Sequence, residues 1–524
     1  MHEIELKLQV PAERLADVEA AVCGRQPPPA LRLRAAYFDT ADRRLAGAAL
    51  ALRLRREGRR WVQTLKGAGD DGLTRQEHNV ARGSASAMPV MDPTLHAGTP
   101  AGERLLALLG AAPAAALHTL YRTDIARHVR ELRVRAAGAP QARVELAFDR
   151  GRIEADPHVL AVGELEIELL AGSPHAVIET ARRWQARHGL WIDLRSKAER
   201  GDLLARGERI APARHAAPSR VGKSMDAAAA WQAVLRACAE QILANASQIA
   251  SGEHAAEHVH QLRIGLRRLR SAGALFEHPD SGLMAGAARL FRQLGAARDA
   301  DVVEREFGPS LDAAMRSTGL DPAALAAPSE APTGNVDATP PVALVRADAT
   351  QQWLLDLLAA MQPDAAVAGS ADNASTGDRI DPAATAEAPP LRALLAARLN
   401  RWHRRIVADA ARYAELDDAD RHRLRKRAKR QRYATEFCAP LFGRRAVRRY
   451  LKALRALQER LGAVSDAAMA AASFATRAPA DPQAMFALGW LAARRDALAA
   501  AATPELAAFA KAERFWKKAP KRRD

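Results

Sequence analysis

Two strand-like segments near the ends of the first 200 residues put all their charges on one side. Glu3, Glu5 and Lys7 alternate with Ile4, Leu6 and Leu8 in HEIELKL (2–8), and Glu164, Glu166 and Glu168 alternate with Leu165, Ile167 and Leu169 in GELEIELL (163–170). Successive side chains of a β-strand point to opposite faces, so each segment has one charged and one apolar face. Stretches between them repeat the pattern: Arg53 and Arg55 in ALRLRR, Lys66 in VQTLKG, and Arg143, Glu145 and Asp149 in RVELAFD. An antiparallel sheet with one solvated face would accommodate any one of these. Here, however, acids cluster at the two ends and bases fill the middle, whereas a solvated face mixes both signs. The set points to a closed sheet with a wet interior, carboxylates there for a divalent cation and Lys and Arg for a polyanion.

Six motifs follow in order: E-x-E-x-K at the N-terminus, YFDT (37–40), L-R-x-R (52–55), T-L-K (64–66), E-x-E-x-E (164–168) and S-K-x-x-R (196–200). Together they resemble the CYTH, or triphosphate-tunnel, superfamily over residues 1–205. The resemblance implies an antiparallel eight-stranded β tunnel of α+β class that binds a triphosphate with Mg²⁺ or Mn²⁺. It assigns Lys7, Arg53, Arg55, Lys66, Lys197 and Arg200 to phosphate, and Glu3, Glu5, Glu166 and Glu168 to the metal. Glu164 and Asp39 are weaker metal candidates, and Glu5, Lys7, Glu166 and Glu168 form the expected catalytic set. The residue types suit the task. Guanidinium forks fit terminal phosphate oxygens, ammonium groups add point charge, and crowded carboxylates raise one another's pKa unless a cation sits among them. Arg143 and Glu145 rank second, because they can pair with each other.

The 524-residue chain has a net charge of +17, which favours an anionic partner. Residues 391–470 hold 21 Lys and Arg against 8 Asp and Glu, so the excess is concentrated. Cys23, Cys238 and Cys438 lie far apart with no C-x-x-C and read as buried thiols in a reducing compartment. With no signal-peptide pattern and no long uncharged apolar run, a cytoplasmic protein without membrane association is expected.

A proline-bearing linker (206–222) leads to Ala-, Leu- and Arg-rich helical sequence over 223–510. Two stretches rich in Pro, Ala, Thr, Asp and Ser, 318–341 and 362–390, are expected as flexible insertions, with an amphipathic helix at 342–361 between them. A basic tail occupies 511–524. The helical half contains a repeat: His260, Arg263, Arg267 and Arg270 share their spacing with His422, Arg425, Lys429 and Arg432, and each stripe precedes a Leu-Gly-Ala turn, in LGAARDAD (294–301) and LGAVSDAA (461–468). The spacing puts four groups on one helix face over roughly 15 Å. Such a stripe lacks the interleaved acids of an ordinary solvated helix, so a bound polyanion is its natural counter-charge. For His260 and His422, helix packing or capping stands level with phosphate contact.

This half resembles the CHAD domain over 224–510. That resemblance implies an all-α pair of four-helix bundles whose basic helices, carrying these eight residues, line a polyphosphate-binding cleft. The reading reached is a metal-dependent hydrolase of inorganic triphosphate with a polyphosphate-binding module. The alternatives are a hydrolase or cyclase of an organic triphosphate such as thiamine triphosphate or ATP, or a non-catalytic polyphosphate binder. No Ser/His/Asp or Cys/His constellation suggests a covalent intermediate. Aromatics make up 5% of the chain and do not interleave with the basic stripes, so specific nucleic-acid binding is not expected.

Overall fold

The structure, a computed structural model, describes residues 2–25, 29–68, 74–110, 114, 116–135, 141–278, 281–295, 307–326, 339–362 and 390–517. The chain packs as two compact units. Met1–His215, Ala239–Leu262 and Pro341–Asp378 form one, and Ala216–Cys238, Arg263–Pro340 and Arg379–Asp524 the other.

The first unit contains one antiparallel sheet of β1 (His2–Gln9), β2 (Leu31–Asp39), β3 (Leu50–Glu57), β4 (Arg60–Ala68), β5 (Thr74–Ala81), β6 (His118–Val134), β7 (Ala142–Ala155), β8 (His158–Ala171) and β9 (Trp191–Ile192). Neighbours run β5-β4-β3-β2-β6-β7-β8-β1-β9, and β1 also pairs with β5, Ile4 lying opposite Thr74. That last pairing closes β1–β8 into the eight-stranded ring implied by the sequence. The two-residue β9 is an appendage on β1.

Closure forces a choice of face. Leu6, Leu8, Val144, Leu146, Phe148, Leu165 and Ile167 are fully buried on the outer face, under helices Leu15–Cys23 and His175–His188, which contribute Val18, Val22, Val177, Ile178 and Ala181. Farther round, Leu50, Leu52, Leu54 and Leu65 pack with Leu105 and Leu109 of helix Pro100–Leu109. With the apolar alternates covered outside, the charged alternates face inward.

One end of the interior is apolar. Leu33, Ile125, Ile153 and Val162 share a strand face with residues nearer the charged centre and cluster with Leu204 and Ala198 of helix Lys197–Ala205. This helix closes that end. Ser196 caps it, with Glu199 completing a capping box. Tyr121 Oη donates to the Ala198 carbonyl at 3.0 Å, and its ring stacks on Tyr37 with centroids 4.7 Å apart.

Every described element after Ala205 is helical. In the second unit Leu391–Ala411, Asp418–Cys438, Arg444–Ala475 and Pro482–Ala500 pack each on the next, and Thr503–Ala510 returns to the first and third. Phe515 and Trp516, at the start of the expected basic tail, are buried beside Tyr450. Residues 518–524 lie outside the described residues, as do 327–338 and 363–389 of the expected insertions. The first insertion begins in order: Asp321 caps helix Pro322–Ala326 through the Ala323 amide at 3.0 Å, and Leu325 packs on the Phe307, Leu311 and Met315 cluster.

Two other expectations are corrected. The single helix at 342–361 is two, Pro341–Arg346 and Asp348–Ala360, broken at Ala347, which turns extended. The turn at Leu461-Gly462-Ala463 is absent, because helix Arg444–Ala475 runs through it. Among the described residues no helix is long and apolar enough to cross a membrane.

A Cβ added at Gly201 would fall 2.3 Å from the Tyr121 ring, which stacking and its hydrogen bond hold in place. Gly201→Ala should cost about 1–3 kcal/mol of stability through overpacking. Chemical denaturation measures this, and an unchanged midpoint would show that the helix does not seat as described.

Candidate functional site

The register brings together residues from opposite ends of the first 205. Glu5 lies opposite Glu168, Lys7 opposite Glu166, Ala147 opposite Glu166 and Asp149 opposite Glu164. On the far side Arg53 lies opposite Tyr37, and Lys66 opposite Glu77. Lys7 pairs with Glu5 and lies 3.9 Å from Glu166. Arg53 donates to Tyr37 Oη at 3.2 Å and lies 4.0 Å from Glu77, which also holds Lys66 at 2.5 Å. Arg55 donates to Glu57 Oε1 at 2.7 Å.

Helix Lys197–Ala205 delivers the remaining two bases. The Lys197 ammonium reaches Asp149 at 2.6 Å and Glu166 at 3.0 Å and also pairs with Glu164, while Arg200 pairs with Glu164. Glu164 also accepts from Gln9 Nε2 at 3.1 Å. Arg127 on β6 forms a fork to Asp149, at 2.6 and 2.7 Å, and donates to Glu166 at 2.5 Å.

Burial alone would raise the Glu166 carboxyl. Lys197, Arg127 and Lys7 instead hold it well below the ordinary carboxylate range. Glu164 is likewise lowered, burial being outweighed by Arg200 and Lys197. Lys197 is raised, because Asp149, Glu164 and Glu166 outweigh its own desolvation. Glu145 moves the other way, pushed up by burial and by Glu131 and Glu166.

Oxygens of Asp149, Glu164 and Glu166 lie within 4.8 Å of one another, a hard-oxygen set that fits a divalent cation. The ammonium among them marks the same demand for positive charge. Glu5 and Glu168 face each other across β1 and β8 beside this cluster. The Glu3 side chain lies outside the described residues, although its backbone pairs with Arg75. Asp39 is spent on local structure, accepting from the amides of Thr40, Leu45 and Ala46 at 2.7–2.9 Å.

Both basic stripes lie on helices, and all of their residues except His260 belong to the second unit. His260, Arg263, Arg267 and Arg270 are on Ala256–Phe276, and His422, Arg425, Lys429 and Arg432 on Asp418–Cys438. Arg263 and Arg267 stack over Phe291, 4.7 and 5.5 Å from its centroid. Burial, then the charges of Arg425 and Arg267, push the Lys429 ammonium down to about 7, so the two stripes feel each other. Arg270 similarly helps to lower Arg430. Asp466 holds Arg425 at 3.0 Å. His422 Nδ1 lies 3.0 Å from Ser465 Oγ and is lowered by burial and by Lys426, Arg425 and Lys429, which keeps it neutral.

The repeat has a steric logic. A Cβ at Gly295 would stand 3.0 Å from Arg263 Nη1, and one at Gly462 would stand 3.7 Å from Arg425 Nη2. In both copies the glycine of Leu-Gly-Ala lies beside the first arginine of the stripe, tightly at Gly295 and at ordinary contact distance at Gly462.

The CYTH domain family matches residues 1–201, and the CHAD domain family matches residues 233–475. The chain carries a CYTH domain followed by a CHAD domain. Among curated proteins, the inorganic triphosphatase of Haemophilus influenzae is 28% identical over 173 residues, 32% of this chain. The match spans 44% of that relative's length. Among solved structures, the CHAD domain of the plant Ricinus communis is 27% identical with a TM-score of 0.44, covering 56% of this chain and 96% of that one. The Hippeastrum protein HpAC1, described as having a dominant triphosphatase activity, is 20% identical with a TM-score of 0.29, covering 39% of this chain and 96% of that one.

Within the CYTH ring, sequence reasoning did not name Arg127 and gave Asp149 a strand face but no role. Arg127 sits in HTLYRTDIARHVRELRV, where charges occur at both parities and no alternation singles one out. Asp149 showed its parity but not its partners, which come from β6, β8 and the helix after Ser196.

Glu164 and Glu166 contribute stability above the ordinary carboxylate range, and it is lost as pH falls through their lowered folded values. Stability should therefore drop below about pH 4, and Glu166→Gln should flatten that limb. Melting temperatures across the acid range provide the check. An unaltered acid limb in the variant would remove Glu166 from the buried network.

Proposed function

We propose that the CYTH domain hydrolyses inorganic triphosphate to pyrophosphate and phosphate, with Mg²⁺ or Mn²⁺, and that the CHAD domain binds inorganic polyphosphate. The observation that carries this reading is the closed ring itself. Bases from β1, β3, β4, β6 and the helix after Ser196 face carboxylates from β1, β5, β7 and β8 across one interior. A compact anion of high charge, accompanied by a cation, satisfies both sets at once. The Haemophilus influenzae relative supports a triphosphatase, and CHAD domains are associated with polyphosphate.

Glu5, Glu166 and Glu168, with Asp149 and Glu164 beside them, would hold the cation, which supplies Lewis-acid polarisation of phosphoryl oxygens. Arg53 and Arg55 project from one face of β3 to grip successive phosphates, and Lys7 and Lys66 approach from β1 and β4. Water attacks the terminal phosphorus in line, forming one P–O bond as the bridging P–O bond breaks. The bases neutralise charge developing on the departing pyrophosphate. The apolar end formed by Leu33, Ile125, Ile153 and Leu204 keeps bulk water from that side. A cytoplasmic setting suits the three free cysteines, of which Cys238 and Cys438 are buried.

Purified protein should release phosphate from triphosphate faster than from ATP or thiamine triphosphate, and only with Mg²⁺ or Mn²⁺. Glu166→Gln should lower kcat by about a hundredfold while leaving a cooperative melt. A preference for ATP, or full activity in that variant, would overturn the assignment.

Polyphosphate binding by the full chain should weaken steeply with salt. Replacing Arg263, Arg267, Arg425 and Lys429 with Ala together should remove most of it and spare triphosphate hydrolysis. Because the Lys429 ammonium is near 7 and a bound polyanion would raise it, binding takes up a proton. Affinity should fall as pH rises from about 6 to 8, and Lys429→Arg should flatten the profile. Equal affinity and salt slope in the quadruple variant would leave the stripes as a plain solvated surface.

A further inference from the structure

The segment Trp191–Ser196, which leads into Lys197, runs as an extended strap with its amides alternating in direction. The Asp193 amide donates to the Lys7 carbonyl at 3.2 Å, tying the strap to β1. The amides on either side go elsewhere: Ile192 N donates to Gln351 Oε1 at 2.8 Å and Leu194 N to Ser247 Oγ at 3.1 Å. The Arg195 guanidinium then donates to Gln248 Oε1 at 3.0 Å and grips Asp193 at 2.7 and 2.9 Å. Gln351, Ser247, Gln248 and Asp193 are all buried. Gln351 and Ser247 lie on helices Asp348–Ala360 and Ala227–Ala250, and both fall inside the CHAD match although they pack in the same compact unit as the ring.

These are anchored partners rather than passing contacts. Gln351 Nε2 donates to the Val345 carbonyl at 2.8 Å across the break at Ala347, so the amide is held at both ends. Gln248 Nε2 donates to the Glu253 carbonyl at 2.6 Å. Arg346 donates to the Ala250 carbonyl at 2.6 Å and lays its guanidinium 3.8 Å over the Trp191 ring. On the neighbouring helix His175–His188, Arg182 donates to Gln352 at 2.7 Å and Asp356 at 2.8 Å, and Gln185 donates to Asp348 at 2.8 Å.

We infer that Gln351, Ser247 and Gln248, supplied by the CHAD sequence, are positioning residues of the triphosphate site, setting the depth at which Lys197 and Arg200 enter the ring. The strap has two edges. β1 holds one, and on the other the buried Ile192 amide is satisfied by Gln351 while Ser247 and Gln248 hold Leu194 and Arg195. Lys197 is the first residue of its helix, one residue beyond the strap, so a shift of the strap moves the ammonium relative to Asp149, Glu164 and Glu166. The CYTH match ends at residue 201, yet the physical site draws on residues 247, 248 and 351.

The inference rests on the proposed triphosphatase reading, and its test separates the two. Ser247→Ala, which removes one oxygen and leaves packing intact, and Gln351→Leu are made in the full chain. Amide hydrogen exchange should accelerate in peptides covering 191–200 and stay unchanged in β7 and β8. The kcat/KM for triphosphate should fall about tenfold in Gln351→Leu, and that loss should vanish in a Lys197→Met background. If the wild-type chain does not cleave triphosphate, the functional reading fails and the exchange pattern still decides the positioning. Unchanged exchange at 191–200 in both variants overturns the inference. So does acceleration spread evenly over the sheet, or a catalytic loss that persists without Lys197, since either marks general destabilisation.

Discussion

Carboxylates of Asp149, Glu164 and Glu166 crowd within 4.8 Å inside a closed sheet, and the rest of the first unit answers that repulsion. Two like charges at such a distance repel by about 3–4 kcal/mol at an effective dielectric near 20. Three mutual pairs would raise the pKa values until the acids neutralised. The opposite is found, with Glu164 and Glu166 lowered, because Lys197, Arg127 and Arg200 pair directly with them. A buried charge pair is weak support for stability by itself. Its consequence here is a polar interior already organised for exchange between internal and external counter-charge.

The second unit meets the converse problem with a different device. Crowded cations on two helices have Asp466 as a nearby acid, and the cost falls on the group that can lose its charge: Lys429 drops to about 7, whereas an arginine stays charged. Aromatic faces absorb part of the rest, with Phe291 under Arg263 and Arg267 and Tyr433 under Arg432. Glycine completes the arrangement. Gly295 is the tight case, where a Cβ would stand 3.0 Å from Arg263, whereas Gly462 lies within an unbroken helix at ordinary contact distance from Arg425.

What the sequence made legible was whatever repeats with a short period. Alternation in β1, β3 and β8 put Glu5, Lys7, Arg53, Arg55 and Glu166 on one strand face, which turns into the ring, and helical spacing put each basic stripe on one helix, because each signal sits within one element. Arg127 stayed hidden because β6 carries charge at both parities, and its inward position follows only from register opposite Asp149. The expected turn at Leu461 failed for a related reason. Gly is a turn signal locally, yet the helix Arg444–Ala475 carries Gly462 without a break. The break at Ala347 was equally invisible, since amphipathic period carries straight through a residue whose backbone turns extended.

Domain limits drawn from sequence and from packing differ for a physical reason. A closed ring satisfies its own strand edges, so the eight strands need nothing from outside to complete their ladders. The helix that closes one end has no such self-sufficiency. It reaches the interior through a strap one strand wide, and a strand with a neighbour on only one side needs partners on the other. Helices Ala227–Ala250 and Asp348–Ala360 provide them, with Ser247 and Gln351 at alternate amides. Their amphipathic pattern announces a buried face without naming what covers it. The CYTH match ends at residue 201, while the unit that places Lys197 continues into the helical half.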